Sequence, residues 1–239
     1  VAGFGADGMA DLTDGTTARP KVVIGADGPR SRVGRAVGQV NRDLLETRQA
    51  TVPLLRPHEA TDIFLGAGIP GGYAWLFPKG QAANLGVGIE PAAKARLKPL
   101  LESLHRTLVA EGRVGADVLG LTGGAIPVGG MVHPVGYMDA TPALLAGDAA
   151  GLTNPVTGAG IAAAVISGTL AGEAAASWLA GKVAALDSYV EELEDLFGPA
   201  LRRALHRRRE LQQRYAGGRS PTPADLRRGW IAYQDYWAA

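Results

Sequence analysis

The chain has 239 residues, 46% of them hydrophobic and 20% charged, with 24 Lys and Arg against 23 Asp and Glu. That balance is ordinary for a soluble globular protein and gives no global electrostatic case for a nucleic-acid partner. Cysteine is absent, which excludes disulfides, thiolate metal ligands and a cysteine nucleophile, and the four histidines, at 58, 105, 133 and 206, lack metal-ligand spacing, so no metal site is expected.

Residues 1–24 read as a three-stranded meander: a weak strand at 1–5, a turn at Asp7-Gly8, a strand at 9–12, a turn at Asp14-Gly15 and a buried strand at 21–24. The chain thus starts inside a sheet. The βαβ unit and GxGxxG turn that open a dinucleotide fold have no room before it, so the chain is expected to be the C-terminal piece of a longer protein, with an N-terminal nucleotide-binding segment missing, or a truncated gene product. Gly25-Ala26-Asp27-Gly28-Pro29-Arg30-Ser31 then opens a short helix, with Ser31 or Asp27 as its cap.

Residues 50–89 read as an antiparallel sheet, with strands at 51–55 and 62–65 and a hairpin at 72–89 that turns around 79–82. Side chains alternate along a strand, so Tyr73, Trp75 and Phe77 share one face, while Gly86 and Gly88 share a face with Asn84 and leave clearance beside a bulky group. Such a wall suits a flat ring or a long apolar chain, although three aromatics on a sheet face also serve as plain core. Leu97, Leu100, Leu101, Leu104 and Leu108 then fall at helical spacing within 91–112.

A Gly/Pro-rich strand stretch at 119–131 and loop and strand edge up to Pro142 lead to a buried strand at 143–146, ended by Gly147-Asp148. A Gly/Asn/Pro loop follows, and a helix is expected to open near Thr157 and run to about Gly181. Gly151, Gly158 and Gly160 leave backbone N–H groups uncovered near the positive end of that helix, and Asp148 can accept hydrogen bonds from a ribose diol; the natural guest is a nucleotide. The 24 uncharged residues from 149 to 172 would also suffice for a membrane span, but Pro155, Asn154 and the abundance of Gly, Ala and Thr favour close packing on a sheet.

Residues 183–215 read as one or two helices broken at Gly198-Pro199. From 200 to 229 there are nine arginines against Glu210 and Asp225. Leu201, Leu205, Leu211 and Tyr215 form a stripe, and Arg202, Arg203, Arg207, Arg208 and Arg209 ring the rest, either as a solvated face or as a contact for anionic lipid headgroups. The aromatic end, Trp230, Tyr233, Tyr236 and Trp237, reads as a tail tucked into a groove or as an interfacial anchor.

Three of these stretches resemble one family. Gly147-Asp148-Ala-Ala-Gly151-x3-Pro155-x2-Gly158-x-Gly160-Ile161 is similar to the second flavin-binding motif of the FAD oxidoreductases related to para-hydroxybenzoate hydroxylase and geranylgeranyl reductase. Gly25-Ala26-Asp27-Gly28-x2-Ser31-x-Val33 resembles the Asp-Gly motif of that group, and Pro70-x2-Tyr73-x-Trp75-x-Phe77-Pro78 resembles the substrate-pocket motif of its geranylgeranyl reductase branch.

The resemblance implies an α/β protein: part of a Rossmann-like FAD-binding domain (1–40 and 119–181), an inserted antiparallel substrate sheet with a helix (41–118) and a helical tail (182–239). It implies FAD held by Asp27, Gly28, Gly147, Asp148, Gly151, Pro155, Gly158, Gly160 and Ile161, and NAD(P)H or another electron donor. It implies a prenyl lipid or quinone substrate held by Tyr73, Trp75, Phe77 and Pro78, whose carbon–carbon double bonds are reduced; the catalytic proton donor is not assigned. Alternatives are an FAD-dependent aromatic monooxygenase and a truncated, inactive scaffold. With no signal peptide in evidence, the expected place is the cytoplasm, with peripheral membrane contact through 200–239.

Overall fold

The computed structural model describes residues 1–5, 7–216 and 220–238. Five elements come first: β1 (Gly3–Phe4), β2 (Ala10–Asp11), β3 (Thr17–Ala18), β4 (Val23–Gly25) and α1 (Arg32–Ala36). A second stretch holds β5 (Leu44–Pro53), β6 (Asp62–Phe64), β7 (Tyr73–Lys79), β8 (Ala82–Ile89), α2 (Leu97–Ala110) and β9 (Gly120–Pro127). Then follow β10 (Val135–Met138), β11 (Thr141–Leu145), α3 (Ile161–Leu179), α4 (Ala185–Ala216), α5 (Pro223–Arg228) and α6 (Gln234–Trp237). Contacts divide the chain into two units, Val1–Asp43 with Pro127–His206 and Leu44–Ile126 with Arg207–Ala239, so the helical tail expected at 182–239 is shared between them.

In the first unit the meander is present, but its third strand is β3 rather than residues 21–24. Pro20 stands between β3 and the valine run and cannot donate a ladder hydrogen bond, so the run starts a new strand. That strand, β4, lies parallel to β11, with Ala143 opposite Val23 and Leu145 opposite Gly25, and β10 completes the sheet on the far side of β11. It is less buried than its composition suggests: Ile24 is 41% exposed, whereas Ala143, Leu144 and Leu145 on β11 are fully covered. Asp139, at a positive φ of 53°, makes the two-residue turn from β10 to β11.

Helix α3 presents a stripe of small residues, Ala163, Ser167, Ala171, Ala174 and Ala175, to this core. The stripe lets the helix backbone come close: a Cβ at Gly147 would lie 2.9 Å from Cβ of Ala164, and Gly147 N–H donates to Ser167 Oγ at 2.9 Å. Helix α4 adds Leu186, Tyr189, Leu193 and Leu201 to the same cluster. Tyr189 is buried, and its hydroxyl donates to the Leu145 carbonyl at 2.7 Å, which fastens α4 to β11; burial pushes the phenol's pKa upward. Helix α3 is long and apolar enough by composition to cross a membrane.

The expected break at Gly198-Pro199 is not there: α4 runs through Pro199 for 32 residues. Proline removes one backbone hydrogen bond at a cost of about 3 kcal/mol. Two buried leucines that bracket the site, Leu193 and Leu201, each contribute about 1.5–3 kcal/mol and offset it. Glu194 and Arg202 pair across Gly198, where any side chain would fall between them.

The second unit is a five-stranded sheet in the order β6-β7-β8-β5-β9. Strand β5 starts at Leu44, earlier than the predicted 51, and pairs with β8 from Glu46–Ile89 to Pro53–Ala82. One face carries Ala50, Val52, Ala74, Leu76, Ala83, Leu85, Val87 and Ile89, and Leu97, Leu101 and Leu108 of α2 close over it. Pro78 falls outside the stretch of β7 that pairs with β6, so its missing N–H breaks no bond on that side.

Candidate functional site: two glycine corners and an aromatic sheet face

Every residue expected to hold a cofactor lies in the first unit. Because Leu145 pairs in parallel with Gly25, the Asp27 and Asp148 corners leave the same end of two adjacent strands. In open parallel sheets ligands bind at the carboxyl ends of strands, and both acids stand there.

The two acids are not equivalent. Asp27 is committed to α1: Oδ1 accepts from Ser31 Oγ, and Oδ2 accepts from Arg32 N–H at 2.7 Å and Val33 N–H at 3.3 Å. Ser31 Oγ in turn accepts from Gly34 N–H at 2.7 Å, so both expected caps act, in series. Asp148 is half-buried; Oδ1 accepts from Thr153 Oγ1, and no described residue donates to Oδ2. One carboxylate oxygen is therefore left for a hydroxyl donor.

The glycines divide likewise. Gly147 (φ 56°), Gly151 (φ 70°) and Gly158 (φ 67°) hold left-handed backbone that only glycine adopts readily. A Cβ at Gly151 would fall on the Gly130 carbonyl, and one at Gly160 would sit 2.7 Å from Thr153 Oγ1 and 3.2 Å from Asp148 Oδ1. Gly147, Gly151 and Gly160 thus serve the chain's own packing. Gly28, at φ 82°, has no described atom within 4 Å of where a Cβ would be, so its backbone is open to a ligand.

Helix α3 begins at Ile161, later than Thr157, because Asn154 closes the loop first. Its Oδ1 accepts from Val156 and Thr157 N–H, both at 3.0 Å, and its backbone pairs with Gly158 N–H and Ala159 C=O. No side chain caps Gly160, the residue before the helix, so the first-turn N–H groups have no cap to satisfy them. Pro155 is buried in the loop, and Ile161 is 86% exposed. A pyrophosphate- and ribose-bearing cofactor fits this set: an open glycine corner, a half-engaged acid and an uncapped helix start.

Three residues of this corner were given no role from the sequence. Asn41 Nδ2 donates to the Asp148 carbonyl at 2.8 Å and the Pro29 carbonyl at 3.1 Å, tying the two corners together. Thr153 orients Asp148, and Ser167 holds Gly147. Thr153 lay inside the quoted motif; Asn41 and Ser167 carry no local signal.

In the second unit Tyr73, Trp75 and Phe77 do share a face, and it is opposite the one packed on α2. They stand outside the cluster packed on α2, yet Trp75 is itself buried, while Tyr73 and Phe77 are half-buried. Ring centroids lie 5.6 Å apart for Tyr73–Trp75 and 5.9 Å for Trp75–Phe77, the latter stacked at 23°. Across the hairpin they oppose Gly88, Gly86 and Asn84. A Cβ at Gly86 would fall inside the Trp75 indole, so the glycine clearance is filled by the chain's own ring. Trp75 Nε1 donates to Gln49 Oε1 at 3.1 Å, which fixes the indole plane. Pro78, at the end of the wall, stands opposite Ala83. Burial raises the Tyr73 phenol to about 12, so it stays protonated at any physiological pH.

The basic tail differs from its sequence reading. Arg207 and Arg208 do not ring the exposed face: they are 3% and 8% exposed. Arg208 Nη1 donates to the Gly71 carbonyl at 2.6 Å, and Tyr215 donates to the Ile69 carbonyl at 3.3 Å, so α4 braces the turn before β7. Tyr236 is buried, and Trp230 packs edge-on against Tyr73; the aromatic end is tucked, with Trp237 57% exposed. Arg219, one of the nine arginines, lies outside the described residues.

Residues 47–125, all within the second unit, match the model of the geranylgeranyl reductase catalytic domain. A digeranylgeranylglycerophospholipid reductase of Methanocella arvoryzae is 37% identical over 200 residues, which cover 79% of this chain and 49% of that protein. Its counterpart in Methanosarcina acetivorans is 33% identical over 186 residues, 75% of this chain and 44% of that one. The crystal structure of a geranylgeranyl bacteriochlorophyll reductase-like protein from Thermoplasma acidophilum superposes with a TM-score of 0.68 at 25% identity, over 82% of this chain and 51% of that one. The chain thus spans about half the length of the relatives it matches. On the combined strength of motif, sequence and fold, the chain belongs to the geranylgeranyl reductase family.

Proposed function

We propose that the protein is an FAD-dependent oxidoreductase that saturates carbon–carbon double bonds in the prenyl chain of a lipid or quinone. The observation that carries the reading is the aromatic face on β7: a row of rings turned away from α2, with Tyr73 and Phe77 half-buried on either side of Trp75, inside the region that matches the family's catalytic domain. Rings with fixed planes bind hydrocarbon without demanding hydrogen bonds, which suits an isoprenoid and ill suits a polar substrate.

Bound and reduced, FAD would supply a hydride to one carbon of an isolated alkene, whose other carbon takes a proton. In this reading Asp148 Oδ2 accepts from a sugar hydroxyl of the cofactor, and the uncapped N–H groups that follow the Gly158–Gly160 turn at the start of α3 bind its polar part. Asp27 fixes the corner that presents Gly28 to the pyrophosphate. Tyr73, Trp75, Phe77 and Pro78 hold the chain and exclude water, because an isolated alkene is a poor hydride acceptor. Tyr73 keeps its proton and so acts on this face as a hydrogen-bond donor, never as a base.

Electrons would come from NAD(P)H or another donor, and a lipid substrate would have the protein work at a membrane surface, for which the cytoplasmic side is our proposal. The test needs no natural donor. Flavin-loaded protein, reduced anaerobically with dithionite, is incubated with geranylgeranyl lipids and the products are weighed by mass spectrometry. A gain of the mass of two hydrogens per double bond supports the reading. Hydroxylated product formed only with oxygen would instead make the protein a monooxygenase, and failure to take up flavin would make it a scaffold.

A further inference from the structure

The row of rings on β7 continues past Tyr73. Trp230 packs edge-on against it, with centroids 4.9 Å apart and planes at 67°, so Phe77, Trp75, Tyr73 and Trp230 form one unbroken series. Trp230 comes from the far end of the chain, just after α5, where its N–H donates to the Arg227 carbonyl at 3.0 Å. A capping box between Thr222 and Asp225 fixes the start of α5.

The segment beyond it is held by a buried cation. Arg207 Nε donates to the Tyr236 carbonyl at 3.0 Å, Nη2 to the Ala238 carbonyl, and Nη1 pairs with Glu210 at 2.9 Å. Burying a guanidinium is costly unless its N–H groups are paired, and here two of the pairs are backbone carbonyls of the tail. Arg228, two residues before Trp230, adds a second link to Glu210 at 3.4 Å. Those same arginines hold the Glu210 carboxyl below its ordinary value although burial pushes it up, so the clamp stays charged near neutrality. A solvated tail would need none of this; a tail that delivers one ring to a defined place does.

We propose that Trp230 is a specificity-determining residue, the fourth ring of the hydrocarbon-binding surface at its Tyr73 end, and that Arg207 is the positioning residue that holds it there. The proposal rests on the prenyl-reductase reading and adds a length requirement to it. An isoprenoid long enough to run beyond Tyr73 meets Trp230, whereas a short one is satisfied by the three rings of β7.

The test uses flavin-loaded protein and two probes, geranylgeraniol and the shorter geraniol, with binding measured by calorimetry. Trp230→Ala is expected to weaken geranylgeraniol about three- to tenfold, the worth of one aromatic contact, and geraniol less than twofold. Trp230→Phe keeps a ring and should stay within about twofold for both. Arg207→Lys keeps the charge but loses the fork, and should reproduce the chain-length-dependent loss without altering flavin content. Those two variants carry the test if Trp230→Ala does not fold. Unchanged binding of geranylgeraniol, or equal loss for both alcohols, overturns the proposal. If the unmodified protein binds neither alcohol, the prenyl reading itself fails, and that result is recognised without any variant.

Discussion

The two units use glycine for opposite ends. In the first, Gly147, Gly151 and Gly160 remove side chains so that helix, loop and strand of the same unit can touch, and the acid beside them keeps one oxygen unengaged among the described residues. In the second, Gly86 removes a side chain so that Trp75 can lie across its neighbouring strand, and the face gains a ring rather than a gap. The first arrangement builds a polar, backbone-lined corner; the second builds a flat apolar wall. A glycine-rich motif therefore does not by itself mark empty space for a ligand. What fills the space must be read from the partner strand.

If the polar corner holds the cofactor and the wall holds the hydrocarbon, damage to one should spare the other. The largest effect is expected from Asp148→Ala. Loss of a charged hydrogen-bond acceptor costs about 1.5–3 kcal/mol, so flavin affinity should fall roughly ten- to a hundredfold by fluorescence titration, with the near-ultraviolet circular dichroism of the protein's aromatic side chains unchanged. A matching loss of that aromatic signal would mean that Asp148 supports the whole fold instead.

Gly86→Ala attacks the other side. The added methyl collides with the indole, and overpacking of this kind costs about 1–3 kcal/mol, visible as a lower urea midpoint at constant slope, while flavin uptake stays normal. Unaltered stability would show that the indole does not lie across the strand.

The smallest effect concerns acid. Burial raises the Asp62 carboxyl, but hydrogen bonds from Arg113 and His58 outweigh it, and the group titrates below its ordinary 3.8. A lowered carboxyl pKa means stability that is fully present above the unfolded value and is lost as pH falls through the folded one. The second unit should therefore weaken below about pH 4, and Asp62→Asn should flatten that part of the profile. Identical profiles for the two proteins would remove Asp62 from the account.

Much of the first unit was legible because its signals are local. Left-handed glycines, the Ser31 cap and the strand ending in an acid are set by neighbours a few residues away. The hairpin at 73–89 and the shared face of its three aromatics followed from strand alternation alone. Long-range polar partners were not legible: Asn41 bonds a carbonyl 107 residues distant, and nothing around it announces this. Helical spacing put Arg207 and Arg208 on the wet side of α4, but carbonyls of Tyr236 and Gly71 claim them. Pro199 was a strong local break that packing overrode. Trp230 was visible as an aromatic in the tail, yet only the fold sets it beside Tyr73.

The division of labour is tested most directly by Trp75→Ala, scored for flavin content and for prenyl reduction in the same preparation. Flavin should stay near the unmodified level and reduction of the geranylgeranyl chain should fall at least about tenfold, since the central ring of the wall is gone. Equal loss of flavin and turnover would contradict it, because the indole would then be holding the protein together rather than presenting the hydrocarbon.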